Sequence, residues 1–117
     1  MSVIIDYYLS LNSPWTFMGS APFAEIARRH SATVNAKPCK FGPIFEQTGG
    51  LPLPKRSPQR QAYRLVELRR FSEWLGLPLN LQPRFFPVSG DAAARLLIAT
   101  DLAAGSAAAL RLAGAVF

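Results

Sequence analysis

The first third of the chain reads as a strand, a helix and a second strand, and this order constrains the fold more than any other feature. The run Val3–Leu9 is rich in β-branched and aromatic residues and too short for a helix, so it predicts a buried strand. A helix is predicted from Pro14 to about His30, with a kink or restart at Pro22, and a second strand over Thr33–Phe41. Such a βαβ unit implies parallel strands joined by a crossover helix. The sequence therefore predicts an α/β fold.

The rest of the chain predicts helices and one long irregular segment. The segment Gly42–Pro58 contains three Gly and four Pro and is predicted to be irregular. Helices are predicted over Gln59–Leu75, from Ala92 to about Ala104 with Asp91 as the N-cap, and from Ser106 onwards with Ser106 as the N-cap. We expect residues 1–58 to form the βαβ part and residues 59–117 to begin a helical domain. Because two strands do not make a stable sheet, we expect the chain to be a piece of a longer protein, with the further strands absent.

Composition limits the classes of function. Apolar residues make up 50% of the chain and charged residues 17%, which excludes general disorder. No apolar run approaches the ~20 residues of a membrane span, so no membrane partner is expected. The single cysteine, Cys39, excludes an internal disulfide or a CxxC pair, and the single histidine, His30, has no partner for a Ser-His or a His-metal site. We expect no bound metal and, without a secretory pattern at the N-terminus, a cytoplasmic location.

The positive charge is concentrated in the middle of the chain. The net charge is +6, and six cations fall in one stretch: Lys55, Arg56, Arg60, Arg64, Arg69 and Arg70. Glu67 and Glu73 lie at helical spacing from Arg69 and Arg70, which predicts ion pairs on a solvated face, with anion recognition as the alternative. Nucleic acid is not expected as a partner, because the glutamates dilute the basic helix and no known binding motif is present.

The segment Asn12–Thr16, between the first strand and the first helix, is the clearest candidate for a functional site. Ser13 is a natural N-cap, and Pro14 suits the first helical position, where no N–H is required. Backbone N–H groups and the helix dipole would stabilise an anion or a thiolate there, with the Ser13 hydroxyl as the nearest side-chain donor. A Ser-Pro pair is also simply a good start for a helix. Trp15 either stacks on an aromatic substrate or fills the seam between helix and sheet.

The chain resembles the 2-hydroxychromene-2-carboxylate isomerases, relatives of the kappa-class glutathione transferases in the DsbA-like branch of the thioredoxin superfamily. Two runs carry the resemblance: IDYYLSLNSPWTFMGSAPFAEIARRH and FGPIFEQTGGLPLPKRSPQRQAYRLVELRRFSEWLGLPL. The resemblance covers essentially the whole chain and implies a thioredoxin-like fold with a helical domain inserted after the second strand. Ser13-Pro14-Trp15-Thr16 stands where dithiol relatives have Cys-Pro-x-Cys. In the family, further helix and strands follow, and we expect this chain to lack them.

The resemblance also implies a reaction and a cofactor. The reaction is the glutathione-dependent isomerisation of 2-hydroxychromene-2-carboxylate to trans-o-hydroxybenzylidenepyruvate in naphthalene catabolism. A small aromatic carboxylate is the implied substrate, and the full-length protein is expected to be a homodimer. Ser13 is the implied catalytic residue, and Ser13, Pro14, Trp15 and Gly50 are the implied glutathione-binding residues. Gly50 stands where family members often carry an asparagine, so it offers only backbone contacts.

Two other functions remain open at this stage. The first is a kappa-like glutathione transferase that acts on another aromatic electrophile. The second is a non-catalytic binding module that uses the basic helix from Gln59.

Overall fold

Two strands and five α-helices make up the fold in a computed structural model, which describes residues 2–117. The elements are β1 (Ile4–Leu9), α1 (Pro14–Arg29), β2 (Thr33–Pro38), α2 (Phe41–Thr48), a short 3₁₀ helix (Leu53–Lys55), α3 (Pro58–Leu75), α4 (Asp91–Ala104) and α5 (Ser106–Val116). Within this part of the chain, no helix is both long and apolar enough to cross a membrane. The strand–helix–strand start is confirmed.

The two strands pair in parallel, from Ile4 opposite Thr33 to Leu9 opposite Pro38. Side chains alternate between the two faces of a strand, and only the face that carries Leu9 is packed into the core. On the opposite face Ile4 is 68% and Tyr8 is 62% exposed. The prediction of a buried strand is therefore wrong for half of β1, because its helices cover one face alone.

The chain forms two compact units, of which the first combines Met1–Cys39 with Pro87–Phe117 and the second is Lys40–Phe86. This division differs from the predicted ranges 1–58 and 59–117. The reason is that α4 and α5 pack on the sheet. Leu97 of α4 and the alanines of α5 form one buried cluster with the strands: Leu9, Ala36, Leu97, Ala109 and Ala113.

The starts of α4 and α5 differ from the prediction in detail. Gly90 and Gly105 are the N-caps, and Asp91 and Ser106 are the first helical residues. The Asp91 carboxylate thus lies in the first turn of α4, where the helix dipole favours negative charge. The Ser106 hydroxyl forms its hydrogen bonds with residues outside α5. Its Oγ accepts from the backbone N–H of Ala36 at 3.1 Å and donates to Asp101 Oδ1.

In the second unit, the segment predicted to be irregular contains a helix. Helix α2 accommodates Pro43 in its first turn, where a missing N–H costs nothing, and it ends at Gly49, whose φ is +75°. The Pro and Gly content of this segment therefore marks the two ends of a helix and does not exclude one. Similarly, α1 runs through Pro22 without restarting.

Helix α3 follows the prediction closely. Ser57 caps it, because its Oγ accepts the N–H of Arg60 at 3.3 Å, and Gly76 ends it with a φ of +65°. The predicted ion pairs of Glu67 and Glu73 do not form, since the ion pairs within residues 2–117 lie in α1 and between the strands. Exposed pairs of long side chains gain little energy and lose conformational entropy when they form, which explains their absence.

Candidate functional site

The candidate site lies between the end of β1 and the start of α1, and Ser13 is at its centre. The Ser13 N–H donates to the carbonyl of Ser10 at 3.2 Å, which closes a turn between strand and helix. Its Oγ accepts the N–H of Thr16 at 3.3 Å, and its carbonyl accepts the N–H of Phe17 at 3.0 Å. The N-cap role predicted for Ser13 is confirmed, and so is the place of Pro14 at the start of the helix.

The hydroxyl of Ser13 keeps a donor for a ligand. As the cap, Oγ acts as an acceptor, so the hydroxyl hydrogen is not used by that bond. No acceptor within hydrogen-bond distance takes this hydrogen among residues 2–117. Ser13 is half-buried and therefore accessible to a bound molecule.

The electrostatic setting of this helix start favours an anion. The first turn of α1 holds no acidic residue, while Arg28 and Arg29 lie in its last turn. These arginines are at the negative end of the dipole, and both bond to Glu25, whose pKa they hold below its ordinary value. No side-chain carboxylate of the first turn thus neutralises the positive end of α1, where Ser13 lies.

Packing fixes the direction of α1. Met18 is buried, and the ring of Phe23 lies 4.5 Å from that of Tyr7 on β1, centroid to centroid. Phe17 approaches Phe117 at the end of α5, with 6.2 Å between the ring centroids. The helix start is therefore carried by a scaffold of aromatic and apolar contacts within one unit.

Asn12 positions the turn before Ser13, a role that the sequence analysis did not predict. Its Oδ1 accepts from the Ser10 hydroxyl at 2.7 Å, and its Nδ2 donates to the carbonyl of Val88 at 3.2 Å. The turn before Ser13 is thus tied to the segment that leads into α4. An asparagine before Ser-Pro is the only signal for this role, because the acceptor lies 76 residues away in the sequence.

Of the other predicted site residues, Pro14 and Trp15 follow Ser13 at the start of α1, while Gly50 belongs to the second unit. Trp15 is 39% exposed. At Gly50, a β-carbon would come 2.6 Å from Cδ1 of Phe45. The glycine leaves room for this ring, which is why an asparagine would not fit there without a shift of Phe45.

Among residues 2–117, the two other chemically active side chains singled out in the sequence, Cys39 and His30, have structural roles. The Cys39 thiol donates to the carbonyl of Leu9 at 3.7 Å, and burial raises its pKa, so it stays protonated at neutral pH. His30 ends α1 as its C-cap. Within residues 2–117, no group of three or more His, Cys, Asp or Glu side chains is arranged to hold a metal ion.

Comparison with known proteins identifies the family. The family model of the DSBA-like thioredoxin domain matches residues 4–117. The chain belongs to this family. The predicted thioredoxin-like fold is therefore confirmed, and Ser13 lies in a DSBA-like domain that has no CxxC pair.

A solved structure of 2-hydroxychromene-2-carboxylate isomerase is similar to this DSBA-like chain. The TM-score is 0.67 at 19% sequence identity, and the match covers 97% of this chain and 53% of that one. At this identity the match shows a shared fold, and this chain spans about half the length of the isomerase structure. None of the curated protein sequences matches the chain.

Proposed function

We propose that this DSBA-like chain belongs to a glutathione-dependent isomerase of the 2-hydroxychromene-2-carboxylate type, which acts on a small aromatic carboxylate in naphthalene catabolism. The observation that carries the proposal is the hydroxyl of Ser13. It caps α1 as an acceptor and keeps its hydrogen for a ligand. The likeness in fold to 2-hydroxychromene-2-carboxylate isomerase supports the same reading.

The helix start fits a thiolate better than a dithiol or a metal. It offers a hydroxyl donor and the positive end of a helix with no acidic residue in its first turn. The segment from Ser13 to Thr16 contains no cysteine, and the single cysteine, Cys39, donates its thiol hydrogen to the Leu9 carbonyl and has a pKa raised by burial. We therefore assign the nucleophile to a cofactor: bound glutathione would supply a thiolate that adds to the conjugated substrate.

The roles of the protein side chains follow from their positions. The Ser13 hydroxyl donates to the sulfur and keeps it ionised, since a hydrogen bond to the charged form lowers the pKa of an acid. Pro14 fixes the first helical residue, so that Ser13 and the dipole point to the same place. The partly exposed ring of Trp15 offers an aromatic surface beside the sulfur for the substrate.

The experiment compares Ser13→Ala with wild type and with Ser57→Ala. Ser57 is a matched control, because it caps α3 at the same Oγ-to-N distance of 3.3 Å and also precedes a proline. Both variants lose a cap, which costs about 0.5–2 kcal/mol of stability. Only Ser13→Ala also loses a donor to a charged sulfur, worth about 1.5–3 kcal/mol, or roughly a 10- to 100-fold loss in turnover.

The readouts are glutathione binding by calorimetry and isomerisation followed by absorbance, with and without glutathione. We expect isomerisation to require glutathione and to fall in Ser13→Ala alone. An equal loss of isomerisation activity in the two variants would show that Ser13 acts only as a helix cap. Turnover of other aromatic electrophiles, without isomerisation, would favour a kappa-like glutathione transferase.

A further inference from the structure

The charge of the chain is divided unequally between its two units. The second unit, Lys40–Phe86, contains eight Lys and Arg and three acidic residues, Glu46, Glu67 and Glu73. Eight minus three gives +5 of the total charge of +6. None of these acidic residues forms an ion pair among residues 2–117. Arg56 and Arg64 therefore have no carboxylate partner among the acidic residues of this unit.

Two of the arginines differ from the rest, because they are half-buried and held in place. The Arg56 Nε donates to the carbonyl of Leu51 at 2.8 Å, and the Arg56 carbonyl accepts from Nε2 of Gln61 at 2.8 Å. The Arg64 guanidinium lies over the ring of Phe86, with 5.7 Å from Cζ to the centroid. In contrast, Lys55 is exposed, as expected for a solvated residue.

A bond from Gln61 ties the backbone of Arg56 to the helix that carries Arg64. Gln61 and Arg64 are one turn apart on α3 and so share one of its faces. The Gln61 side-chain amide donates to the main-chain carbonyl of Arg56, so the backbone of Arg56 adjoins that face. Burial lowers the pKa of Arg64, and the positive charge of Arg56 lowers it further.

An anion bound between two half-buried guanidinium groups offsets both their mutual repulsion and their lost hydration. With its Nε bound to Leu51, Arg56 keeps the N–H groups of its terminal nitrogens, and Arg64 presents the same planar fork above Phe86. A guanidinium fork matches the two oxygens of a carboxylate or phosphate.

We propose that Arg56 and Arg64 form a binding site for a small oxyanion, a carboxylate or a phosphate. The site is independent of Ser13 and of the proposed isomerisation. For these two residues of the basic stretch, the proposal replaces the interpretation that the cations lie on a solvated face.

The test uses the 117-residue chain and two probes, sodium benzoate and inorganic phosphate. Sodium chloride at the same ionic strength is the reference. The readout is the NMR resonances of the arginine Nε–H groups, recorded for wild type, R56Q, R64Q and R70Q. Arg70 is an exposed arginine of the same helix, so R70Q matches the change in charge. R64K keeps the charge and loses the fork, which separates shape recognition from net charge.

We expect at least one probe to shift the Arg56 and Arg64 resonances saturably, and R56Q and R64Q to weaken this binding about tenfold or more. R70Q should bind as wild type does, and R64K should bind more weakly than wild type. Tighter binding of benzoate would identify a carboxylate ligand, and tighter binding of phosphate a phosphorylated one. Shifts no larger than with chloride, or an equal loss in R70Q, would overturn the proposal, whatever the outcome at Ser13.

Discussion

The Ser106→Ala variant tests how the helices of the first unit hold the sheet. Ser106 Oγ accepts the N–H of Ala36, which is 7% exposed, and donates to Asp101. The substitution removes the partner of an N–H group that belongs to a buried residue. Leaving such a donor unpaired costs about 1–3 kcal/mol. Because Ser106 is the first residue of α5, the higher propensity of alanine for helix interiors offsets little of this cost, and we expect a net loss of about 1–3 kcal/mol.

The assay is denaturant-induced unfolding, with Ser20→Ala as the matched control. Ser20 also lies in a helix, but its hydroxyl donates to the Thr16 carbonyl, a helical carbonyl that the backbone N–H of Ser20 itself can pair. We expect Ser20→Ala to unfold within about 0.5 kcal/mol of wild type. If Ser106→Ala is as stable as Ser20→Ala, then the contact between α5 and β2 does not stabilise the sheet as described.

Two further predictions concern the second unit and the strands. Gly50→Ala should lower the free energy of unfolding by about 1–3 kcal/mol, because the added β-carbon would overlap the ring of Phe45. Gly42→Ala should be neutral or stabilising, because its added β-carbon lies in open space on a helix, and equal stability of the two variants would contradict this prediction. The Asp6 pKa is lowered by the hydrogen bond from Lys37, and the Lys37 pKa is raised by the same bond. The stabilisation of the folded state by this pair is therefore present between about pH 4 and pH 10. It is lost as the pH falls through the pKa of Asp6 or rises through the pKa of Lys37. In Lys37→Met, NMR titration should show a higher Asp6 pKa, and an unchanged pKa would refute the pairing.

Local signals in the sequence were sufficient to predict much of this fold. Ser13 with Pro14 marks the start of α1, and Gly76 marks the end of α3. These signals act within one turn of helix, through a capping hydroxyl or a left-handed glycine, so they can be read without the tertiary structure. The parallel pairing of β1 and β2 follows from the helix between them.

Other features depend on partners far away in the sequence and could not be predicted. Asn12 is bound to the carbonyl of Val88, and Ser106 to the N–H of Ala36, 70 residues earlier. The distinction of Arg56 and Arg64 from their exposed neighbours likewise arises from tertiary burial. The basic stretch alone shows only that cations are clustered.

The central claim is that the Ser13 hydroxyl stabilises a bound thiolate at the start of α1. The most direct measurement is the pKa of the glutathione thiol in the complex, from the ultraviolet absorbance of the thiolate as a function of pH. The comparison is with Ser13→Gly, which keeps most of the capping energy but has no hydroxyl. We predict a thiol pKa in the wild-type complex below that of free glutathione, and a value about one to two pH units higher in Ser13→Gly. The same thiol pKa in both complexes, or a wild-type value no lower than that of free glutathione, would contradict the account.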